Sequence, residues 1–187
     1  VTSTQPALGG HDVLDGAFGS DVVIGGGNND TITASLGGDI IFGDSGFVDL
    51  HGDVYSVAPE TGGDDTILAG VGETGDTGDR SILIGGAGRD TLVGGNGPNI
   101  ILGDSGHVYR TSDLVVHEVE SSAPSVGDVD QISSGTGDDV ILGGAAGDTI
   151  DGTSGNDVIL GDNGRVFVNN TGAGETNDIE STALSSG

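Results

Sequence analysis

The run GAFGSDVVI–GGGNNDTIT–ASLGGDIIF, from Gly16 to Phe42, decides how the rest of the chain is read. It is three nine-residue phrases with no gap. Each opens on a small-residue turn, places an Asp sixth (Asp21, Asp30, Asp39) and an aliphatic residue eighth (Val23, Ile32, Ile41). The frame extends back to Ala7–Asp15 and forward into Gly43–His51. Glycine at the first, second and fourth places supplies the conformations that close a tight corner. A short strand follows each corner, as in DVVI, DIIF, DTLV and DVIL. Strands this short cannot pair as isolated hairpins and still keep a nine-residue period. Stacked as a solenoid, with every second phrase above its predecessor, they give about 18 residues per coil. The expected fold is all-β and parallel, with the eighth-place residues inward: Leu14, Val23, Ile32, Ile41, Ile67, Leu92, Ile101, Ile132, Ile141, Ile150 and Ile159. One aliphatic residue per strand is a thin core to set against chain entropy.

Longer units are superimposed on the phrases. Their anchors are IIFGDSGFV (Ile40–Val48), IILGDSGHV (Ile100–Val108) and VILGDNGRV (Val158–Val166), and their starts fall at Pro6, Pro59 and Pro124. The spacings are 53 and 65 residues, dividing one continuous solenoid into units 1–58, 59–123 and 124–187. The last residues, IESTALSSG (Ile179–Gly187), match VESSAPSVG (Val119–Gly127), so a fourth unit is expected to begin there, within a larger array. After each GD(S/N)G the frame lapses, into GDVYSV, SDLVVHEV and NDIEST. These are either hairpins projecting sideways or the far strand of a third coil, with Asp53, Asp113 and Asp178 sixth. Three coils of about 18 residues come close to the shortest unit, which favours the third coil. The run GVGETG (Gly70–Gly75) matches a dinucleotide-binding pattern formally. No amphipathic helix follows it and it lacks a phosphate-loop Lys, so it reads as an expanded turn.

The composition narrows the function classes. The 187 residues include 39 Gly, 3 % aromatics and no Cys, Met or Trp. Thirty acidic residues face four basic ones (Arg80, Arg89, Arg110, Arg165), for a net charge of −26. Such a charge opposes compaction unless cations neutralise it. It argues against nucleic acid or an anionic membrane surface as partner, since both require positive charge. Asp outnumbers Glu by 24 to six, which suits ligands carried on tight turns. Acidic disorder shares this composition but does not hold Val, Ile and Leu in a fixed register. Without Cys there is no disulfide or thiol chemistry, and no limit on compartment. No signal peptide, membrane-spanning run or targeting tail is visible, so no membrane insertion is expected.

The phrases of Gly16–Phe42 and their continuations resemble the RTX (repeats-in-toxin) nonapeptide G-G-x-G-x-D-x-U-x. The resemblance implies a calcium-binding parallel β-roll and secretion, to the extracellular space or the cell surface. Calcium takes six to eight oxygens at about 2.3–2.6 Å, from carboxylates and carbonyls. A lone turn cannot supply them, but two stacked corners can. Neighbours 18 apart pair Asp12 with Asp30, Asp21 with Asp39, Asp130 with Asp148 and Asp139 with Asp157. The family's ligand role carries over onto these eight, and Asp65 and Asp90 hold the same place. In the GD(S/N)G turns Val48, Val108 or Val166 stands sixth and the Asp moves to second. Pairing Asp30 with Asp44, Asp90 with Asp104 and Asp148 with Asp162 makes Asp44, Asp104 and Asp162 substitute ligands, unless they bond their own turns. Ser81 and Asn99 stand where Asp is expected, so unit two should have fewer or weaker sites. Asp64, Asp128 and Asp138, each beside a motif Asp, are expected in solvent. Without metal, paired carboxylates about 4 Å apart repel by roughly 4 kcal/mol each, and a calcium-driven folding switch is expected.

The seventh and ninth places point outward. One side is polar: Asp15, Thr31, Thr33, Gln131, Ser133, Thr149 and Asp151. The other is an apolar stripe of Val22, Ile24, Ile40, Phe42, Ile100, Leu102, Val140, Leu142, Val158 and Leu160. So long a ladder is seldom left in water. Either the chain's own excursions cover it, or it is a lateral contact with another roll or another copy. The four His (His11, His51, His107, His117) share no spacing and no nucleophile and are expected at the surface. Hard oxygen ligands suit calcium better than zinc. No catalytic constellation remains once the repeat has accounted for the Asp residues. The expected function is a calcium-binding structural module of a large exported protein, such as an adhesin, surface layer or filament. The alternative is an accessory region assisting export and folding of a secreted enzyme or toxin. A polysaccharide- or ice-binding surface ranks below both, because Val13 and Gln131 interrupt the outward Thr ladder.

Overall fold

The computed structural model describes residues 1–2, 8–70, 80–168 and 178–181, the last four by their backbone. Most of the GVGETG run lies outside them. The first two coils are β1 (Val13–Asp15), β2 (Val22–Ile24), β3 (Thr31–Thr33) and β4 (Ile40–Phe42). The chain then leaves the stack through β5 (Gly46–Val48) and β6 (Val54–Ser56). It returns for β7 (Thr66–Leu68), β8 (Ile82–Gly86), β9 (Thr91–Val93) and β10 (Ile100–Asp104). A second departure comes next, β11 (Gly106–Arg110) and β12 (Val116–Ser121). The last coils are β13 (Gln131–Ser133), β14 (Val140–Leu142), β15 (Thr149–Asp151) and β16 (Val158–Leu160), and then come β17 (Gly164–Phe167) and β18 (Asp178–Ser181). Among the described residues there is no helix, hence none long and apolar enough to cross a membrane.

Two six-stranded parallel sheets, β1-β3-β7-β9-β13-β15 and β16-β14-β10-β8-β4-β2, face each other as the walls of the roll. Their eighth-place residues are in register along each wall: Leu14, Ile32, Ile67, Leu92, Ile132, Ile150 on one. The other carries Val23, Ile41, Leu83, Ile101, Ile141, Ile159. Between the walls they form the thin core the period requires, with Ala34 and Ala69 added. Leu83, hidden in the irregular second unit, is a member the frame did not identify. At the far end of the stack Ile159 remains 45 % exposed, because no described strand lies beyond it.

The third sheet corrects the expectation of a third coil. The segments after GD(S/N)G are antiparallel hairpins, β5–β6, β11–β12 and β17–β18, joined edge to edge as β18-β17-β12-β11-β6-β5. Each alternates with period two, so one face can be apolar and the other polar. Val54, Val108, Val119 and Val166 are buried on the inner face. Tight turns close the first two hairpins: the Asp49 carboxylate accepts the His51 and Asp53 N–H groups, and the Thr111 hydroxyl accepts those of Asp113 and Val115. A third coil would have left both sets of turn bonds unmade.

What this sheet covers is the apolar stripe. Phe42, Ile100, Leu102, Val140, Leu142 and Leu160 are buried with Ile82 and Ile84 against the hairpin valines, and Ile24, Ile40 and Val158 pack at the margin. Only Val22, on the edge strand β2, is exposed among the stripe residues, at 39 %. The stripe is therefore not a free face for a lateral contact: the chain's own excursions occupy it, because an aliphatic ladder is more stable under a valine-faced sheet than in water. The roll thus has a second hydrophobic core, parallel to the first. On the outer face of the hairpin sheet Tyr55 contacts Phe47, His107 and Tyr109 at ring-centroid distances of 6.2, 5.1 and 5.8 Å. His107 is half-buried there beside Glu120, whereas His11, His51 and His117 are exposed.

Candidate metal centre

The corners form two columns, one leading into the β1 wall and one into the β2 wall. In the first column Asp12, Asp30, Asp65, Asp90, Asp130 and Asp148 stack in that order. Each carboxylate accepts, through Oδ1, the backbone N–H of the Asp one coil earlier: Asp12 to Asp30 at 2.7 Å, Asp30 to Asp65 at 2.7 Å, Asp65 to Asp90 at 2.8 Å. Asp90 to Asp130 and Asp130 to Asp148 continue it at 2.8 and 3.0 Å. The sequence spacing of 18 holds within a unit only. The hairpins and the extra residues after Leu68 make it 35, 25 and 40 residues across the unit boundaries and within unit two.

That ladder uses one oxygen of each carboxylate. The other, Oδ2 of Asp30, Asp65, Asp90, Asp130 and Asp148, is buried with no hydrogen-bond donor. Each points at the first-place glycine of its own or the adjoining corner, where the carbonyl oxygen of the next coil also converges. At Gly25 these are Asp30 Oδ2 and the Gly43 carbonyl, and at Gly43 they are Asp65 Oδ2 and the Gly85 carbonyl. The arrangement recurs at Gly85 (Asp90, Gly103), Gly103 (Asp130, Gly143) and Gly143 (Asp148, Gly161). A methyl group at any of the five would overlap both oxygens. Glycine is needed there for room.

The electrostatics agree. Burial pushes the Asp90 carboxyl up to about 10, with Asp130, Asp65 and Asp44 adding repulsion against the Asp65 N–H bond that lowers it. Burial likewise raises Asp65 and Asp130 to about 7, and Asp30 and Asp148 in the same direction. Acceptor oxygens turned toward acceptor oxygens, out of water, need a cation between them. Carboxylate and carbonyl donors on a flexible glycine frame suit calcium. Among the described residues no three His, Cys, Asp or Glu side chains close on one point. The carboxylates come one per corner and carbonyls make up the rest, so the donor set fits a hard cation and not a side-chain-only cage.

Asp44 and Asp104 stand in this column but bond neither to their own turns nor as the 18-residue pairing expects. The Asp44 carboxylate accepts Gly63 N–H at 3.2 Å and Ala87 N–H at 2.6 Å, and Asp104 accepts Ala145 N–H. Both are held at about 8, first by burial, then by Asp65 and Asp30 around Asp44, and by Asp130 and Asp148 around Asp104. The charges acting on Asp104 are those of Asp130 and Asp148, on the coils that follow the second hairpin. Asp162 is exposed at the end of the column, with its charge felt by Asp148. Asp64, Asp128 and Asp138 are exposed.

The second column holds Asp21, Asp39, Ser81, Asn99, Asp139 and Asp157. Its ladder runs from Asp21 N–H to Asp39 at 2.9 Å, Asp39 N–H to Ser81 Oγ at 3.2 Å, Asn99 N–H to Asp139 at 2.7 Å and Asp139 N–H to Asp157 at 3.1 Å. Oδ2 of Asp21 and Asp139 is buried without a donor. The sequence identified both columns of aspartates. It expected carbonyls of the glycine turns as ligands without singling out those that converge in the first column, since every corner contains glycine.

Gly85→Ala is expected to destabilise the calcium-loaded protein by about 2–3 kcal/mol, since its Cβ meets Asp90 Oδ2 and the Gly103 carbonyl. Gly16→Ala, with its nearest atom at 3.3 Å, is expected within about 0.5 kcal/mol of the parent. Thermal melts of both in calcium check this; equal losses would contradict the crowding at Gly85.

A family model described as the RTX calcium-binding nonapeptide repeat matches four times, at residues 7–41, 15–50, 75–107 and 133–167, together more than half of the chain. No curated protein and no solved structure matches the chain significantly.

Proposed function

Because the chain belongs to the RTX calcium-binding nonapeptide repeat family, whose repeats bind calcium ions, we propose that it is a calcium-stiffened building block of a large secreted or cell-surface protein, such as an adhesin, surface layer or filament. The observation that carries this reading is the unbroken row of donor-less carboxylate oxygens from Asp30 to Asp148, which spans five successive coils. Ions along that row tie each coil to the next, so stiffness accrues along the solenoid axis as in other stacked-repeat proteins. Three units, 1–58, 59–123 and 124–187, each contribute one hairpin to the lateral sheet. Ile159, an inward residue on the end strand β16, is 45 % exposed, and a further coil stacked on it would bury it. RTX repeat proteins are typically secreted, and millimolar external calcium would keep the row filled. The second reading, an accessory region of an exported enzyme or toxin, rests on the same calcium-dependent folding. Nothing in the roll itself supplies a reaction: the repeat is a calcium-binding structural module.

Single-molecule stretching distinguishes a mechanical module from a mere folding aid. In calcium the chain is expected to resist extension and yield in discrete force peaks. In chelator it is expected to lengthen as a featureless coil. Peaks of equal height in both conditions would sink the proposal.

A further inference from the structure

The two corner columns differ in a way the family pattern does not express. In the first, glycine stands at the first place of all five corners where a carboxylate oxygen and a carbonyl converge. In the second, Ala34, Ala69 and Ser134 put a real Cβ at that place in three corners, whereas Gly16, Gly94 and Gly152 leave it open. The Asp series is also broken twice in succession, by Ser81 and Asn99.

At Asn99 the substitution is chemically legible. Its Nδ2 donates to the carbonyls of Gly97 and Ser134 at 2.9 Å and reaches that of Gly95 at 3.2 Å. Relative to Gly94, Nδ2 and the Ser134 carbonyl stand as Asp90 Oδ2 and the Gly103 carbonyl stand relative to Gly85. The same cage is therefore built, with one atom changed. A carboxylate there would aim an acceptor at three acceptors, which a cation must reconcile. The amide brings two N–H donors of its own and satisfies the Gly97 and Ser134 carbonyls directly. Asn99 is buried at 3 % exposure, so water does not compete for those bonds. The ladder continues beyond it, because Asn99 N–H still donates to Asp139 Oδ1. One coil earlier Ser81 accepts Asp39 N–H and donates to the Gly37 carbonyl, with no second oxygen to offer.

We infer that the Gly94–Asn99 corner takes no ion, the Asn99 amide standing in the cage as an internal substitute for calcium, so that the middle of the second column is held by hydrogen bonds alone. The roll is then metal-tied along one edge and self-satisfied at the centre of the other. This rests on the first column holding calcium, as its donor set requires.

The test is to count bound ions by native mass spectrometry at saturating calcium for the parent chain, Asn99→Asp, Asn99→Ala and Asp90→Asn. Asn99→Asp is expected to bind one ion more than the parent, and Asn99→Ala the same number. Asp90→Asn, which changes the first column, is expected to bind fewer. An unchanged count in folded Asn99→Asp would overturn the inference, as would a lower count in Asn99→Ala, which would make Asn99 a ligand. Failure of Asn99→Asp to fold in calcium would also overturn it, since the cage would then differ from that at Gly85 by more than one atom. Failure of the reading beneath it looks different: the parent chain would take up no ion at all.

Discussion

Removing calcium at pH 7 is expected to abolish the strand signal of the roll, and restoring it to recover the fold cooperatively. In the folded chain Asp65 and Asp130 are held at about 7, Asp44 and Asp104 at about 8 and Asp90 at about 10, against an ordinary value of 3.8. Keeping such a group folded without metal at pH 7 means protonating it about 3 units above its free value, which costs roughly 4 kcal/mol at about 1.4 kcal/mol per unit. Two or three such groups cancel the roughly 5–15 kcal/mol by which a domain is stable. Five are present. The second hydrophobic core under the hairpin sheet opposes this loss but does not touch its cause, because the carboxylates lie at the corners and not between the sheets. Calcium reverses the sign by bonding the charged form, and its binding free energy becomes folding free energy. Far-UV circular dichroism during a calcium titration measures the outcome. A full strand spectrum in excess chelator at pH 7 would refute it.

Acid is expected to replace calcium in part. A carboxyl whose folded pKa is raised binds its proton more tightly in the folded chain, so its contribution is fully present below about pH 3.8 and is lost as pH rises through the folded value, about 7 to 10 for these five groups. In chelator, strand content should therefore rise on acidification from pH 7 to about 4, the reverse of ordinary acid denaturation. Loss of the net charge of −26 works in the same direction, and a substitution separates the two causes. Asp90→Asn removes a buried carboxylate and should raise the metal-free midpoint pH measurably, while Asp64→Asn, at an exposed position, should leave it nearly unchanged. In calcium the order inverts, with Asp90→Asn the weaker variant. Equal effects of the two in chelator would assign the pH dependence to net charge and not to the buried column.

The nine-residue period by itself determined the parallel walls, the inward eighth place and the stacked aspartates, because a fixed period leaves each phrase one way to lie on its neighbour. The calcium chemistry was legible through the resemblance of these phrases to the RTX nonapeptide, with which Asp on glycine turns and the absence of Cys agree. Tertiary structure alone decided the course of the chain after each GD(S/N)G. A three-residue strand and a hairpin arm look alike locally, and the choice turned on whether the valines of those segments could cover the stripe from Ile40 to Leu160. That choice reset the neighbours of Asp30 and Asp90, which lie 35 and 40 residues along the chain from their partners instead of 18. It likewise took three dimensions to separate the two corner columns, because whether a glycine is needed for its conformation or for the oxygens crowding it depends on atoms contributed by the next coil.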